Sequence, residues 1–474
     1  MTQTSRSKVL PPVPALLGTA TDVLGPGDDG YAESAATVLG SGTPDLVVRP
    51  LDAAGVALSL RYAAEAGLAV TVRSGGHSMA GLSTSTGGML LDTRRIDGVR
   101  LDPATGRVRV GAGATWGEVA AALGPHGWGL TAGDTRQVGV AGLTLGGGIG
   151  WLVRRFGLAI DSLTAVRLVT ADGQVVRADA EEHADLFWAL RGGGGNFGVA
   201  VDFEFAAQRV GAVHFGSIGL RADDPPGLLA GWRDLMRSAD ERLTTTLTLM
   251  PAMPGRPAAA TLLCCWASPD GAEAARALGP FRALAPVGSD DVRAMPYAEV
   301  LEDMTPLPPG LRMEMRNVLF PALDDAAVAA AGELFAGGGA VLSLRSLGGA
   351  VARVGREATA YAHRDAEVMV AAGLMAPEGA PPELLAGALR RWSRVAALGS
   401  GAYVGFLGSA GPADVAAAYP PATYRRLAAV KRRYDPANVF RSTHNVPPAT
   451  ATATAAATAT DTDPVPEPAP ADAS

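Results

Sequence analysis

The chain of 474 residues has only two cysteines, Cys264 and Cys265, adjacent in "TLLCCWAS". Adjacent cysteines rarely bridge each other, and with no C-x-x-C pair there is no cysteine-based zinc or dithiol redox motif. Their apolar setting marks them as buried, inert thiols and fits a reducing compartment. Lysine is scarcer still in proportion, present only at Lys8 and Lys431, so arginine carries nearly all the positive charge. The formal net charge of −7 argues against a nucleic-acid partner, which would call for a basic face. No run approaches the roughly 20 apolar residues of a membrane span. The start, "MTQTSRSKVLPPVPALLG", carries no apolar stretch of signal-peptide length, so the expectation is a cytoplasmic protein with no membrane association. Aromatic residues are few, at 5%. No solenoid-period repeat occurs.

What is abundant is glycine, 60 residues, much of it clustered in the first half of the chain. Hydrophobic content of 48% and charged content of 18% suit a globular protein, and the length calls for more than one core. Residues 1–30 read as a poorly structured arm ending in "GPGDDG". From 31 to 208, short β-rich runs alternate with Ala-rich helical patterns, among them the hairpin "LTAVRLVTADGQVVRA" and a helix in "TWGEVAAALGPHG" capped by Thr115. From 209 to 411 the glycine clusters thin out and strands such as "LTTTLTLMPAM" mix with helices such as "AAVAAAGELFAGG". Residues 412–448 contain a basic helix followed by a turn. The stretch 449–474 is an Ala/Thr/Pro tail that cannot bury a core, expected to be disordered.

Three glycine clusters stand beside strands. The first, "TVRSGGHSMAG", ends an apolar run on Arg73, Ser74, Gly75, Gly76, His77 and Ser78. Glycines there allow left-handed or closely packed backbone; the plain alternative is a strand-ending turn with a surface histidine. The second, "GDTRQVGVAGLTLGGGIGW", holds Gly133, Asp134, Thr135, Val138, Gly139, Gly142, Gly146, Gly147, Gly148 and Gly150. The third, "LRGGGGNFGV", holds Gly195, Asn196, Gly198 and Val199. Together they imply a long ligand lying close to the main chain, whose N–H groups form concave anion sites suited to a pyrophosphate. A nicotinamide fingerprint is the rival. "GGGIGW" breaks it at Trp151. "GGGNFG" matches its spacing but follows a helix and precedes a strand, the reverse of the required order.

"VRSGGHSMAG", "VGVAGLTLGGGIGWLVRRFGLAIDSL", "DLFWALRGGGGNFGV" and "YDPANVFRSTHNVPP" together resemble the FAD-linked oxidases of the berberine bridge enzyme type, within the vanillyl-alcohol-oxidase-like superfamily, from Tyr31 to Pro448. The resemblance implies an α+β chain of two lobes. A PCMH-type FAD-binding domain spans 31–208 and is completed by 412–448; between them lies a substrate domain with an antiparallel sheet flanked by helices. It implies FAD bonded covalently through His77 to the flavin 8α-methyl. Relatives with a second bond carry a cysteine where this chain has Thr135, so a single histidyl link is expected. Val138 stands where the family gates oxygen, and its small side chain favours O2 as acceptor. Asn445, beside His444 in "STHNVPP", belongs to the segment that folds back on the FAD domain.

The resemblance further implies two-electron oxidation of a small organic substrate, with hydride passing to flavin N5 and hydrogen peroxide released on reoxidation. A tyrosine in a strand motif like "AYVGFLG" serves as the family's base; here it is Tyr403, with Gly405 where an asparagine is usual. Tyr297, Tyr361 and His363 are the candidate substrate contacts, with Glu314 and Arg316 as further polar candidates. The Ala-, Leu- and Met-rich second domain favours tailoring of a secondary metabolite, by alcohol oxidation, desaturation or cyclisation. Oxidation of a carbohydrate at its anomeric hydroxyl, which needs a dense polar lining, is the alternative. A flavin-bearing binding protein without turnover is the non-enzymatic alternative, and the oligomeric state is left open.

Overall fold

The computed structural model describes residues 18, 20–253, 255–304 and 309–450; the tail from 451 and most of the expected arm lie outside them. The fold is a mixed α+β arrangement built on three main sheets. The first has four strands in the order Thr21–Leu24, Leu46–Pro50, Met89–Asp92, Val70–Arg73. Two of its three pairings are parallel, and the helix Ala53–Glu65 links Leu46–Pro50 to Val70–Arg73, the two strands that flank Met89–Asp92; its N-terminus is capped by Asp52 accepting from Gly55 N at 2.9 Å. Parallel strands need such a crossover, and this one delivers Val70–Arg73 directly into the first glycine turn. Thr21–Leu24 pairs antiparallel with Leu46–Pro50, so the end of the expected arm is instead an edge strand of this sheet. Its Val23 packs on the same core that the helix covers.

The second sheet is antiparallel, in the order Val175–Asp179, Leu163–Val169, Val199–Ala206, Arg107–Gly111, Val99–Leu101. The helix Trp116–Leu123 covers it, opening on a Thr115–Glu118 capping box. Trp116, Phe203 and Phe205 fill the space between.

The third sheet has eight antiparallel strands lying between residues 212 and 377. Period-two alternation gives it two faces. One, carrying Ile218, Leu247 and Cys264, packs under the helices Pro225–Ser238, Gly271–Arg282, Asp325–Ala336 and Pro382–Ala396. The other, carrying Phe215 and Cys265, packs on the glycine-rich half, with Trp151 edge-on to Phe215 at 5.1 Å. The adjacent cysteines therefore sit in different cores. Burial pushes Cys264 up to about 12 and raises Cys265 as well, which leaves both thiols unreactive. The helix Pro421–Tyr434 returns to the first half, burying Leu427 and Val430 there.

Candidate functional site

A cavity of about 590 Å³ runs between the first two sheets' loops and the edge of the third. Its long wall is main chain. The first two glycine clusters cross in contact: a Cβ on Gly75 would stand 2.4 Å from Gly139 N, and one on Gly139 would stand 2.3 Å from Gly75 N. Neither position tolerates a side chain. Elsewhere the absence of Cβ leaves room for a ligand. Gly142 and Gly195 line the cavity, and a Cβ at either would have nothing within 4 Å, so it would project into the space. Gly192 and Gly194 donate their N–H groups to Leu145 O at 3.0 Å, which locks the third turn to the second.

Ser74, Gly75, Gly76, His77, Ser78, Gly133, Asp134, Thr135, Val138, Gly139, Gly142, Gly146, Gly195 and Gly198 line this cavity. His77 faces it with a pKa held below the usual imidazole range, first by burial and then by the nearby Arg73 charge. The remaining sequence candidates stand behind the wall. Arg73 is buried and turned away, donating to Ser34 O at 2.5 Å and to Ala36 O. Gly147 and Gly148 form a left-handed turn, and Gly150 lies so close to Ala132 O that a Cβ would overlap it. Asn196 is a clamp: its amide nitrogen donates to Gly193 O at 2.8 Å and His444 O at 3.1 Å, and its oxygen accepts from Val446 N at 2.9 Å. Val199 is a buried core strand residue. Asn445 is outside the lining, where its neighbours Thr443 and His444 stand in its place.

The substrate candidates divide in the same way. Tyr403 lines the cavity, and its hydroxyl accepts from Gly148 N at 3.2 Å. Burial pushes its pKa up to about 12 against the opposing pull of the Gly148 and Ile149 amides. Its segment is a 3₁₀ turn, Val404–Phe406, rather than a strand. Tyr297 is corrected: it is buried in another wall, donating to Leu130 O at 3.0 Å, and the cleft it lines is a separate one beside Trp128. Tyr361 is corrected too. It is buried behind Tyr403, rings 6.3 Å apart, and does not reach the cavity. His363 is likewise held away from it, its Nε2 3.1 Å from Ala418 O. Glu314 and Arg316 pair with each other outside the lining.

Residues that the sequence did not single out complete the site. Arg345 pairs with Asp134 at 2.5 Å and lies 4.6 Å over the Phe406 ring. Burial is the largest single influence and works to raise the Asp134 carboxyl, but the Arg345 charge and hydrogen bond, with the Thr135 hydroxyl, together outweigh it and hold the pKa below the usual range. Glu302, Asp303 and Met304 form a strap along residues 134–137. Glu302 N donates to Asp134 O at 3.0 Å, Arg136 N donates to Glu302 O at 2.9 Å, and Gln137 Nε2 donates to Asp303 Oδ1 at 2.8 Å. Asp303 also pairs with Arg136 at 3.3 Å, while Glu302 makes no ion pair among the described residues. Met313 adds an apolar patch. The one signal available in advance was Arg345 itself, a charge in "AVLSLRS" on the face opposite to the buried Ala340, Leu342 and Leu344.

The cradle fits a dinucleotide. It is long, its glycine-lined stretch leaves main-chain N–H groups near the ligand, and the arginine in its lining, Arg345, is already paired.

Burial also lowers the pKa of His363 and of His444, whose Nε2 lies 3.1 Å from Ser409 O. Both bind fewer protons folded than unfolded, so their contribution to stability is whole above the unfolded value of roughly 6.5 and is lost as pH falls below it. Thermal scans should show a melting temperature level from pH 7 to 8 and declining below about pH 6.5. The double variant His363→Gln/His444→Gln should flatten that decline; an unchanged slope would mean other groups cause it.

Comparison with known proteins agrees with this architecture. Residues 44–179 match the family model described as FAD binding domain, and residues 402–447 match the one described as berberine and berberine like. (R)-6-Hydroxynicotine oxidase of Paenarthrobacter nicotinovorans is 32% identical over 85% of this chain and 91% of its own. The solved structure of 6-hydroxy-D-nicotine oxidase from Arthrobacter nicotinovorans superposes with a TM-score of 0.79 at 28% identity, covering 90% of this chain and 97% of that one. Glucooligosaccharide oxidase of Acremonium strictum, described with a 6-S-cysteinyl, 8α-N1-histidyl FAD, shares the fold at a TM-score of 0.78 and 21% identity, covering 92% of this chain and 98% of that one.

Proposed function

The chain belongs to the berberine-like FAD-linked oxidoreductases, and from that premise we propose that it oxidises a small, largely apolar organic molecule and passes the electrons to O2. The observation that carries this reading is the end of the cavity beyond the glycine wall. Tyr403, Phe406, Met304 and Met313 line it, the Tyr403 and Phe406 rings 6.0 Å apart, with few free polar groups. Asp134 and Asp303 are already paired with arginines, which leaves little to hold a ring of sugar hydroxyls.

The FAD isoalloxazine would lie along Gly75–Ser78 and Gly139–Gly142, held by a single covalent bond from His77. The Acremonium enzyme's second bond is cysteinyl, and the hydroxyl at Thr135, engaged with Asp134 Oδ1 at 3.1 Å, cannot make a thioether. Bound FAD would supply a two-electron acceptor, reoxidised by dioxygen, which is itself reduced to hydrogen peroxide.

Tyr403 handles the substrate proton in this reading. With a pKa of about 12 it is a phenol at neutral pH. The Gly148 N–H donates to its oxygen and so favours the phenolate, the form that accepts the substrate heteroatom's proton as the hydride leaves. The unpaired Glu302 favours a substrate bearing an amine over one bearing a carboxylate, since an opposite charge is the only one it stabilises.

Peroxide release tests the proposal. A donor panel would contain 6-hydroxynicotine, benzyl alcohol, benzylamine, phenylpropionate and xylobiose. Peroxide from an amine or alcohol but not from xylobiose is expected. Xylobiose as the best donor would transfer the assignment to carbohydrate oxidation. Tyr403→Phe should lower turnover of the active donor by about 10²-fold or more, the usual scale for a positioned proton-transfer group.

A further inference from the structure

The strand Leu311–Phe320 lies at the edge of the eight-stranded sheet, and residues 400–408 run beside it without forming a regular strand. Two stretches of main-chain pairing hold that segment. At one end Leu319 N donates to Gly401 O and Ser400 N to Leu319 O, each at 2.8 Å, an isolated antiparallel bridge. At the other, Gly408 N donates to Met315 O at 2.9 Å. Continuing the first register by two residues sets Asn317 opposite Tyr403.

At that rung the main chains do not pair. The Asn317 side chain takes the place of the strand backbone: its Oδ1 accepts from Tyr403 N at 2.7 Å, and its Nδ2 donates to Tyr403 O at 2.9 Å. Asn317 is buried, 5% exposed. A carboxamide has the same donor and acceptor as a peptide group, so it satisfies both main-chain atoms of Tyr403. It also stands the tyrosine off from the strand by the length of a side chain. The residues that follow bulge outward as the Val404–Phe406 turn, and Val404, Gly405 and Phe406 all line the cavity. Tyr403 is thus fixed at two points, its backbone by Asn317 and its hydroxyl by Gly148 N–H.

We propose that Asn317 is a positioning residue for the reaction, a side-chain rung that sets Tyr403 at the distance from the sheet at which its hydroxyl meets both Gly148 and the substrate. The inference rests on the reading of Tyr403 as the proton-handling group. Aspartate keeps the acceptor for Tyr403 N but sets a carboxylate against Tyr403 O, and alanine loses both bonds.

The test combines structure and kinetics on the flavin-loaded full chain. Hydrogen exchange at the Tyr403 amide should be slow in wild type and in Asn317→Asp, and fast in Asn317→Ala. A crystal structure of Asn317→Ala should show the Tyr403 hydroxyl out of hydrogen-bond range of Gly148 N. Turnover of the panel donor that gives peroxide should fall about 100-fold in Asn317→Ala, the scale of a misplacement near 1 Å, with KM within about two-fold of wild type. Acid-precipitable flavin should be unchanged. In a Tyr403→Phe background the added Asn317→Ala should cost nothing further.

Equal losses from Asn317→Ala in the wild-type and Tyr403→Phe backgrounds, or an unchanged Tyr403 amide, would overturn the proposal. Should Asn317→Ala fail to fold, Asn317→Asp carries the kinetic arm. A Tyr403→Phe variant as active as wild type would remove the proton-handling reading instead, and the exchange measurement would still judge the clamp.

Discussion

His77→Ala will give a protein whose yellow colour washes out of the acid-precipitated pellet, whereas wild type will keep it. The imidazole lines the cavity directly after the glycine pair, and burial together with Arg73 keeps it neutral, so a ring nitrogen lone pair is available for the bond to carbon. No cysteine lies near enough to replace it: the two in the chain are buried in the third sheet. A tether also changes the thermodynamics of loading. A covalently held flavin stabilises the fold at any dilution. A dissociable one stabilises by an amount that grows with its free concentration, about 2.7 kcal/mol at 100 times Kd. Wild type should therefore melt at a temperature independent of added FAD, and His77→Ala at one that rises with it. Colour retained in the mutant pellet would place the bond on another residue. Colour lost from wild type would leave a non-covalent flavoprotein. Either outcome spares the glycine cradle, which depends on backbone shape.

The cradle was legible because its determinants are local. Glycine pairs beside short apolar runs mark the places where backbone passes close to backbone, and Gly75 against Gly139 is such a crossing. The capping of the helix after Thr115 and the hairpin around "TADGQ" were legible for the same reason. The far end of the cavity was not. Met313, Arg345 and Phe406 come from distant segments that only the strand order of the third sheet brings together, and no spacing in the sequence encodes that order. Tyr297 and Tyr361 show the converse error. A polar aromatic in a loop suggests a contact with ligand, but these rings are needed in the walls, where Tyr361 supports Tyr403 and Gly147 and Tyr297 plugs the cleft behind Gly129. The resemblance makes "AYVGFLG" a strand motif, yet the side chain of Asn317 intercepts its pairing.

Lys431→Met will destabilise the fold strongly, because it breaks a fully buried ion pair in the C-terminal helix. It is the only lysine among the described residues, its side chain is wholly buried, and all three of its donors are used. The ammonium donates to Asp435 Oδ2 at 2.6 Å, Asn196 O at 2.7 Å and Phe440 O at 2.9 Å. Burial lowers its pKa, and the Asp435 hydrogen bond opposes that shift. Asp435 in turn accepts from Val439 N at 2.8 Å and Phe440 N at 2.9 Å. The pair therefore joins the third glycine turn to the segment that brings Phe440, Ser442, Thr443 and His444 to the cavity. Methionine fills the space but strands the Asp435 carboxylate in the interior, and breaking a buried pair from one side costs about 3–5 kcal/mol. In thermal unfolding of a chain this long that corresponds to a fall of about 3–5 °C. Adding Asp435→Asn should recover part of it, because the unpaired charge is then removed while one side-chain oxygen remains to accept from Val439 N or Phe440 N. A fall below about 1 °C in Lys431→Met would mean that the ammonium reaches water and does not hold the two segments together.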